Sequence, residues 1–215
     1  MIDSIFSMIM IIPGILLGFT VHEYGHAMMA YKLGDDTPKF QGRLTLNPIS
    51  HIDPIGFIMI VLFHFGWAKP VQINKRAFKN YRKDDLKVSL AGPLANFITS
   101  IALLFISTLI DKFFYMNNKP FLLFMIIIQY AISMNMVLCF LNLIPIPGFD
   151  GFHILKDLFP NIMRKLPQNI ELYGNFIFIL CIIPLPFLQS SIFSYIVNLP
   201  ASVVLSFFEK IFGII

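Results

Sequence analysis

Two histidines and one glutamate on a single predicted helix are the residues of this sequence best suited to chemistry. His22, Glu23 and His26 form the pattern H-E-x-x-H within an otherwise apolar segment. The i, i+4 spacing places both imidazoles on one helix face, one turn apart, where they can share a tetrahedral zinc ion. Glu23 then points near the open position of the metal, where it can take a proton from a zinc-activated water whose pKa is about 7. The pattern predicts zinc-dependent hydrolysis.

A catalytic zinc ion needs a third protein ligand, and it keeps its fourth position for water. Asp150 is the strongest candidate because it follows an apolar segment and lies among residues that break a helix and can aim a carboxylate inward. These residues are Pro145, Pro147, Gly148 and Gly151. The same residues also fit an Asp-Gly turn at the membrane surface, so the sequence pattern alone leaves both interpretations open. The sequence also offers three histidines and two aspartates as candidates for the third ligand, namely His51, His64, His153, Asp53 and Asp111.

The composition indicates that these residues lie in a membrane protein. Of 215 residues, 57% are hydrophobic and only 13% are charged, which is too little charge for an ordinary soluble domain. Several segments approach the roughly 20 apolar residues that a helix needs to cross a bilayer. Ionisable residues within such segments are costly, so a functional site is the default interpretation of the histidines. The net charge of +4 is ascribed to loop orientation, and nucleic acid is not an expected partner.

The predicted fold is an all-α polytopic membrane protein with about five to six transmembrane helices, forming one membrane-embedded domain over residues 1–215. A motif helix over residues 5–33 is followed by a short membrane-associated β or re-entrant region over 40–66. A basic loop at 68–87 then carries seven of the sixteen Lys and Arg residues. Further spans are predicted at 88–110, 121–144, 172–188 and 191–208.

The distribution of positive charge predicts the orientation. By the positive-inside rule, the basic loop at 68–87 lies on the cytoplasmic side. His22 then lies toward the cytoplasmic end of the motif helix, and water has to reach the zinc ion from that side. We expect a multi-pass protein of a prokaryotic plasma membrane, with the lipid bilayer as its surroundings. The oligomeric state is left open.

Asn96 is a polar residue within the predicted span at 88–110. It lies one turn after Gly92, so its amide could simply bond a neighbouring helix across a packing face of small residues. Alternatively, it could donate to a developing oxyanion, which would contribute about 3 kcal/mol to catalysis. The residues alone leave both interpretations open.

Three motifs together resemble the site-2 protease family of intramembrane zinc metalloproteases, the M50 peptidases, in a compact form without PDZ or CBS domains. They are H-E-Y-G-H-A at 22–27, L-A-G-P-L-A-N at 90–96 and N-L-I-P-I-P-G-F-D-G at 142–151. The last motif departs from the Pro-Leu-Asp-Gly that is usual in the family, but it keeps the aspartate. The resemblance implies one zinc ion per chain, three ligands, a catalytic base and two supporting amides. These are His22, His26 and Asp150 for zinc, Glu23 as base, Asn96 as a catalytic residue, and Asn142 in substrate or transition-state support.

The resemblance also implies a substrate class. Members of the family cut membrane proteins in or near their transmembrane segments, in regulated intramembrane proteolysis. We therefore expect a transmembrane protein or peptide as substrate, presented by strands near residues 44–46. The alternative is a membrane protein that binds or transports a metal without proteolysis.

Overall fold

The regular elements in the described part of the protein are helices. The computed structural model describes residues 2–63, 66–167, 169–182 and 191–213. Within these ranges the helices are α1 (Ile2–Lys32), α2 (Thr37–Phe40), α3 (Pro54–Phe63), α4 (Tyr81–Phe114), α5 (Lys119–Asn142), α6 (Asp150–Leu158), α7 (Pro160–Met163), α8 (Gly174–Ile182) and α9 (Leu199–Phe212). A π-helical turn at Ser194–Asn198 leads directly into α9.

Four helices of the described part are long and apolar enough to cross a membrane. They cover Phe6–Lys32, Tyr81–Phe114, Lys119–Asn142 and Ser194–Phe212. This confirms the prediction of a helical, multi-pass membrane protein. The predicted span at 172–188 includes α8, but residues 183–188 lie outside the described residues, so the count of five to six spans stays a prediction.

Glycines allow α1 to pack closely against both α4 and α5. A Cβ atom at Gly14 would lie 2.8 Å from the Ala131 Cα atom of α5, and one at Gly25 would lie 2.6 Å from the Ala91 carbonyl oxygen of α4. Because lipid tails are as apolar as leucine, helices in a bilayer associate largely through such close contacts between small residues. The three helices therefore form a tight unit around the polar residues of α1.

The predicted β or re-entrant region over 40–66 is not confirmed as a strand: residues 41–45 form turns and bends. Gly42 has a φ of +67°, and the backbone N–H of Arg43 donates to the Pro38 carbonyl oxygen at 2.8 Å. The Arg43 N–H is thus bonded within the local turn and does not pair with a strand among the described residues. The apolar residues that follow form α3, where the Asp53 side chain accepts from the Gly56 N–H at 2.8 Å. An isolated antiparallel bridge joins Ile52 to Ala68.

The basic loop predicted at 68–87 is shorter in the structure, because α4 already begins at Tyr81. Asp84 stabilises this polar first part of the helix: its side chain accepts from the Asn80 N–H and from the Lys87 ammonium group, both at 2.9 Å. Hydropathy detects only the apolar part of a helix. The span predicted at 88–110 is therefore shorter than α4 at both ends.

Candidate metal centre and catalytic site

Three predicted ligand atoms meet where α1 and α6 come together. The Nε2 atoms of His22 and His26 lie 3.0 Å apart, and each lies 3.2 Å from the Oδ2 atom of Asp150. A tetrahedral zinc ion with bonds of about 2.0 Å keeps its ligands about 3.3 Å apart. The three atoms therefore have nearly the spacing of one face of a zinc tetrahedron.

Hydrogen bonds fix the tautomer of both histidines. The Nδ1 atom of His22 lies 2.8 Å from the Oδ1 atom of Asn96, and the Nδ1 atom of His26 lies 2.8 Å from the carbonyl oxygen of Val88. Both oxygens can only accept, so each Nδ1 carries the proton of a neutral imidazole. Each Nε2 atom consequently presents a lone pair to the space that it shares with Asp150.

The residues present fit a divalent cation. The Asp150 Oδ2 atom is buried and has no hydrogen-bond partner within the described residues, although two imidazole nitrogens lie close to it. Three buried electron-pair donors at such short distances repel one another, and a cation between them removes the repulsion in all three pairs. Two imidazoles and one carboxylate are typical ligands of a catalytic zinc ion.

A glycine of α4 makes room for both imidazole rings. A Cβ atom at Gly92 would lie 2.3 Å from the Nε2 atom of His26 and 2.7 Å from the Cε1 atom of His22. Real Cβ contacts are not this short, and both rings are already fixed by hydrogen bonds. Gly92 is therefore part of the metal centre although it supplies no ligand.

The turn between α5 and α6 carries Asp150 to the histidines. Gly148 has a φ of +101°, which favours glycine. A Cβ atom at Gly151 would lie 2.3 Å from the Leu143 carbonyl oxygen, so α6 begins directly against the end of α5.

Glu23 is held in the same cavity by the backbone of residues 66–74. Its Oε2 atom accepts a hydrogen bond from the Val71 N–H at 2.9 Å. The buried Arg43 donates to the Pro70 carbonyl oxygen at 3.0 Å and keeps this segment in place. The cavity has a volume of about 350 Å³, and the three candidate ligands line it together with Glu23, Val71 and Asn142. The Glu23 carboxylate is thus fixed in the cavity that the three candidate ligands also line.

The two predicted supporting amides lie in different surroundings. Asn96 is fully buried and bonds the Nδ1 atom of His22, whereas Asn142 lines the cavity and donates from Nδ2 to the Leu138 carbonyl oxygen at 2.9 Å. The position of Asn96 fits the orientation of a ligand better than direct contact with a substrate. The role of Asn142 in substrate support stays a prediction.

The other histidines do not join the three-ligand group among the described residues. His51 is fully buried and donates from Nε2 to the Thr45 carbonyl oxygen at 2.7 Å. His153 lines the metal cavity, and burial together with the nearby Lys75 lowers its pKa. His64 lies outside the described residues.

Four contributors to the site were not predicted from the motifs: the Val88 carbonyl, the Val71 N–H, the space at Gly92 and the amide of Asn135. The two backbone groups leave no signal in the sequence, since every residue provides a carbonyl and every residue except proline provides an N–H. A glycine one turn before a buried asparagine was a usable signal for a close helix approach.

A second cavity of about 280 Å³ adjoins the first and shares Lys75, Asp85 and His153 with it. It also contains Asp157, whose Oδ2 atom is buried without a hydrogen-bond partner among the described residues. Burial and the carboxylate of Asp85 raise the pKa of Asp157 to about 6, although three basic side chains oppose this shift. These are Lys75, Arg82 and Lys156.

Asp157→Asn is expected to stabilise the metal-free protein above pH 6. A raised pKa means that the folded state holds the proton more tightly than the unfolded chain, whose aspartate pKa is about 3.9. Wild-type stability therefore falls as pH rises from about 4 to about 6, whereas asparagine does not titrate. Thermal unfolding in detergent should show a higher Tm for the variant at pH 7.5 and a shrinking difference toward pH 4. A difference in Tm that is independent of pH would contradict the raised pKa.

Comparisons with known proteins agree with this site. The model of peptidase family M50 matches residues 113–185, which include Asp150. The chain is 39% identical over 180 residues to the candidate zinc metalloprotease YwhC of Bacillus subtilis (strain 168), covering 77% of this chain and 76% of that protein. No solved structure gives a significant match.

Two mycobacterial proteins are more distant relatives. The candidate zinc metalloprotease Rip2 of Mycolicibacterium smegmatis is 30% identical over 164 residues, which are 74% of this chain and 61% of that protein. Rip2 of Mycobacterium tuberculosis (strain H37Rv) is 29% identical over 183 residues, which are 82% of this chain and 68% of that protein.

The membrane-length helices and the centre of two histidines, one carboxylate and an adjacent glutamate define a membrane metalloprotease. The chain belongs to peptidase family M50, the site-2 protease family.

Proposed function

We propose that this protein is an intramembrane zinc metalloendopeptidase that hydrolyses peptide bonds in or near transmembrane segments of membrane proteins. The observation that carries the proposal is the convergence of His22, His26 and Asp150, with Glu23 held beside them, on helices that are long enough to cross a bilayer. The relatives named as zinc metalloproteases support zinc as the metal.

Each residue of the site has a distinct task in this proposal. His22, His26 and Asp150 hold the metal, and the Nδ1–H bonds of both rings keep their Nε2 atoms directed toward it. A bound zinc ion lowers the pKa of water to about 7 and polarises a carbonyl group. Glu23 accepts the proton of the attacking water and delivers it to the leaving amine, while the Val71 N–H keeps the carboxylate in position.

The two adjoining cavities provide the route for water in this proposal. Lys75, Asp85 and His153 lie where the cavities join, and their polar side chains can hydrate a path to the metal. Because basic residues cluster at this end of the molecule, we assign it to the cytoplasmic side of a prokaryotic plasma membrane. Residues 1–215 then form one membrane-embedded peptidase domain, with five to six spans and α3 as a re-entrant helix.

A transmembrane substrate has to unwind before a peptide carbonyl can reach the site, since helical hydrogen bonds occupy its backbone. The backbone groups of Gln72 and Ile73 make no hydrogen bond within the described residues, and they follow Val71 directly. Because no strand formed near residues 44–46, we propose that the unwound substrate pairs with this part of the 66–74 segment instead.

The function is tested by cleavage and metal content together. We expect the protein in liposomes to contain about one zinc ion and to cut a single-span reporter protein. A chelator should stop cleavage, and added zinc should restore it. Asp150→Ala should lower both the zinc content and the cleavage rate, because the metal loses one of three ligands.

Asp111→Asn provides a matched control, since this exposed carboxylate lies near the far end of α4. Zinc transport across the liposome wall without cleavage of any single-span reporter would favour the alternative function of metal transport.

A further inference from the structure

A fully buried amide of α5 is connected to the metal centre through a second amide. Asn135 has no exposed surface, and its Nδ2 group donates to the Ala131 carbonyl oxygen of the same helix at 2.8 Å. Its Oδ1 atom therefore faces the opposite direction, where it accepts a hydrogen bond from the Nδ2 group of Asn96 at 3.0 Å. The carbonyl of Ala131 thus fixes the orientation of the Asn135 amide.

The same reasoning fixes Asn96. Its Nδ2 group also donates to the Gly18 carbonyl oxygen of α1 at 2.9 Å, so both amide protons are used. The Asn96 Oδ1 atom then faces His22 and accepts from its Nδ1–H at 2.8 Å. Donors and acceptors alternate without a conflict from Ala131 to the imidazole ring.

The amide orientation decides whether His22 can bind a metal. If the Asn96 amide turned over, its NH₂ group would face Nδ1, and the ring would have to move its proton to Nε2. A protonated Nε2 atom cannot be a ligand. Resting on the proposed zinc site, we propose that Asn135 is a positioning residue that holds Asn96, and through it His22, in the metal-binding state.

A neighbouring hydrogen bond separates this role from simple helix packing. Ser100 of α4 is also fully buried, and its hydroxyl group donates to the Ile132 carbonyl oxygen of α5 at 2.8 Å. It joins the same two helices, and its hydroxyl group makes no hydrogen bond to a candidate metal ligand among the described residues. Loss of this bond should weaken packing without changing the tautomer of His22.

The test compares Asn135→Ala with Ser100→Ala in detergent. We expect Asn135→Ala to weaken zinc binding about 10-fold to 100-fold in competition with a chelator, as for other residues that orient ligands. Ser100→Ala should change zinc affinity less than about 3-fold. Both metal-free variants should have a lower Tm than the metal-free wild type. The absorption spectrum of bound cobalt(II) should change only in Asn135→Ala. Equal zinc affinities of the two variants would overturn the inference.

Three further variants keep the test decisive. Asn135→Ser should retain zinc affinity, because a serine hydroxyl can donate to the i−4 carbonyl and accept from Asn96. In an Asn96→Asp background both side-chain oxygens can accept from His22, so Asn135→Ala should no longer lower zinc affinity. If it still does, the effect does not pass through Asn96. Asn135→Leu takes the place of Asn135→Ala should the alanine variant not fold.

The readout distinguishes the inference from the proposed function. A wild-type protein that binds zinc but cuts no membrane protein would contradict the peptidase function and leave the comparison of zinc affinities intact. A wild-type protein that binds no zinc would overturn both.

Discussion

Glu23→Gln is expected to lower the cleavage rate by a factor of about 10²–10⁴ while zinc remains bound. Glutamine has nearly the shape of glutamate, and its amide oxygen can still accept from the Val71 N–H. It cannot accept the proton of an attacking water, so only the chemical step is lost. Rates of reporter cleavage in liposomes and zinc content of the same preparation measure the two properties.

Glu171→Gln is the matched control, because this glutamate is exposed and lies outside the metal cavity. It should cleave at the wild-type rate. Normal cleavage by Glu23→Gln would refute the assignment of Glu23 as the base. Loss of zinc from Glu23→Gln would show instead that the residue mainly supports the metal site.

Gly92→Ala should remove zinc binding although it adds only one methyl group. The new Cβ atom would lie 2.3 Å from the Nε2 atom of His26, so that ring has to leave its position. Within a helix, alanine is favoured over glycine by about 1 kcal/mol, so helix propensity cannot cause the loss. We expect zinc affinity to fall at least about 100-fold, beyond the usual effect of residues that only orient ligands, with cleavage lost in parallel.

Leu94→Ala controls for changes in α4, because Leu94 is on the same helix with an exposed side chain. Zinc affinity of Leu94→Ala should match the wild type. Wild-type zinc affinity in Gly92→Ala would mean that the rings do not occupy the positions described.

Much of the metal centre was predictable because its first part is local. The spacing of His22 and His26 within one helix follows from helix geometry alone. Asp150 was predictable only as a candidate, since its approach to α1 depends on the turn after α5 and on close packing at Gly151. The orientation of Asn96 depends on groups from three helices, and no spacing along the chain encodes it.

The limits of the fold prediction have a similar cause. Hydropathy located the long apolar helices but placed the start of α4 too late. The segment Tyr81–Lys87 is polar and nevertheless helical. The expected strand near residues 44–46 depended on a pairing partner. In the structure the Arg43 N–H bonds within the local turn at 38–43, and the Arg43 side chain bonds the 66–74 segment at the Pro70 carbonyl oxygen.

The separation of the ligands along the chain has a consequence for biosynthesis. His22, Glu23 and His26 enter the membrane early, whereas Asp150 is synthesised only after α4 and α5. A nascent chain therefore carries the base and two ligands but lacks the carboxylate that completes the centre. The proposed zinc site can therefore be completed only after α4, α5 and the start of α6 have been synthesised.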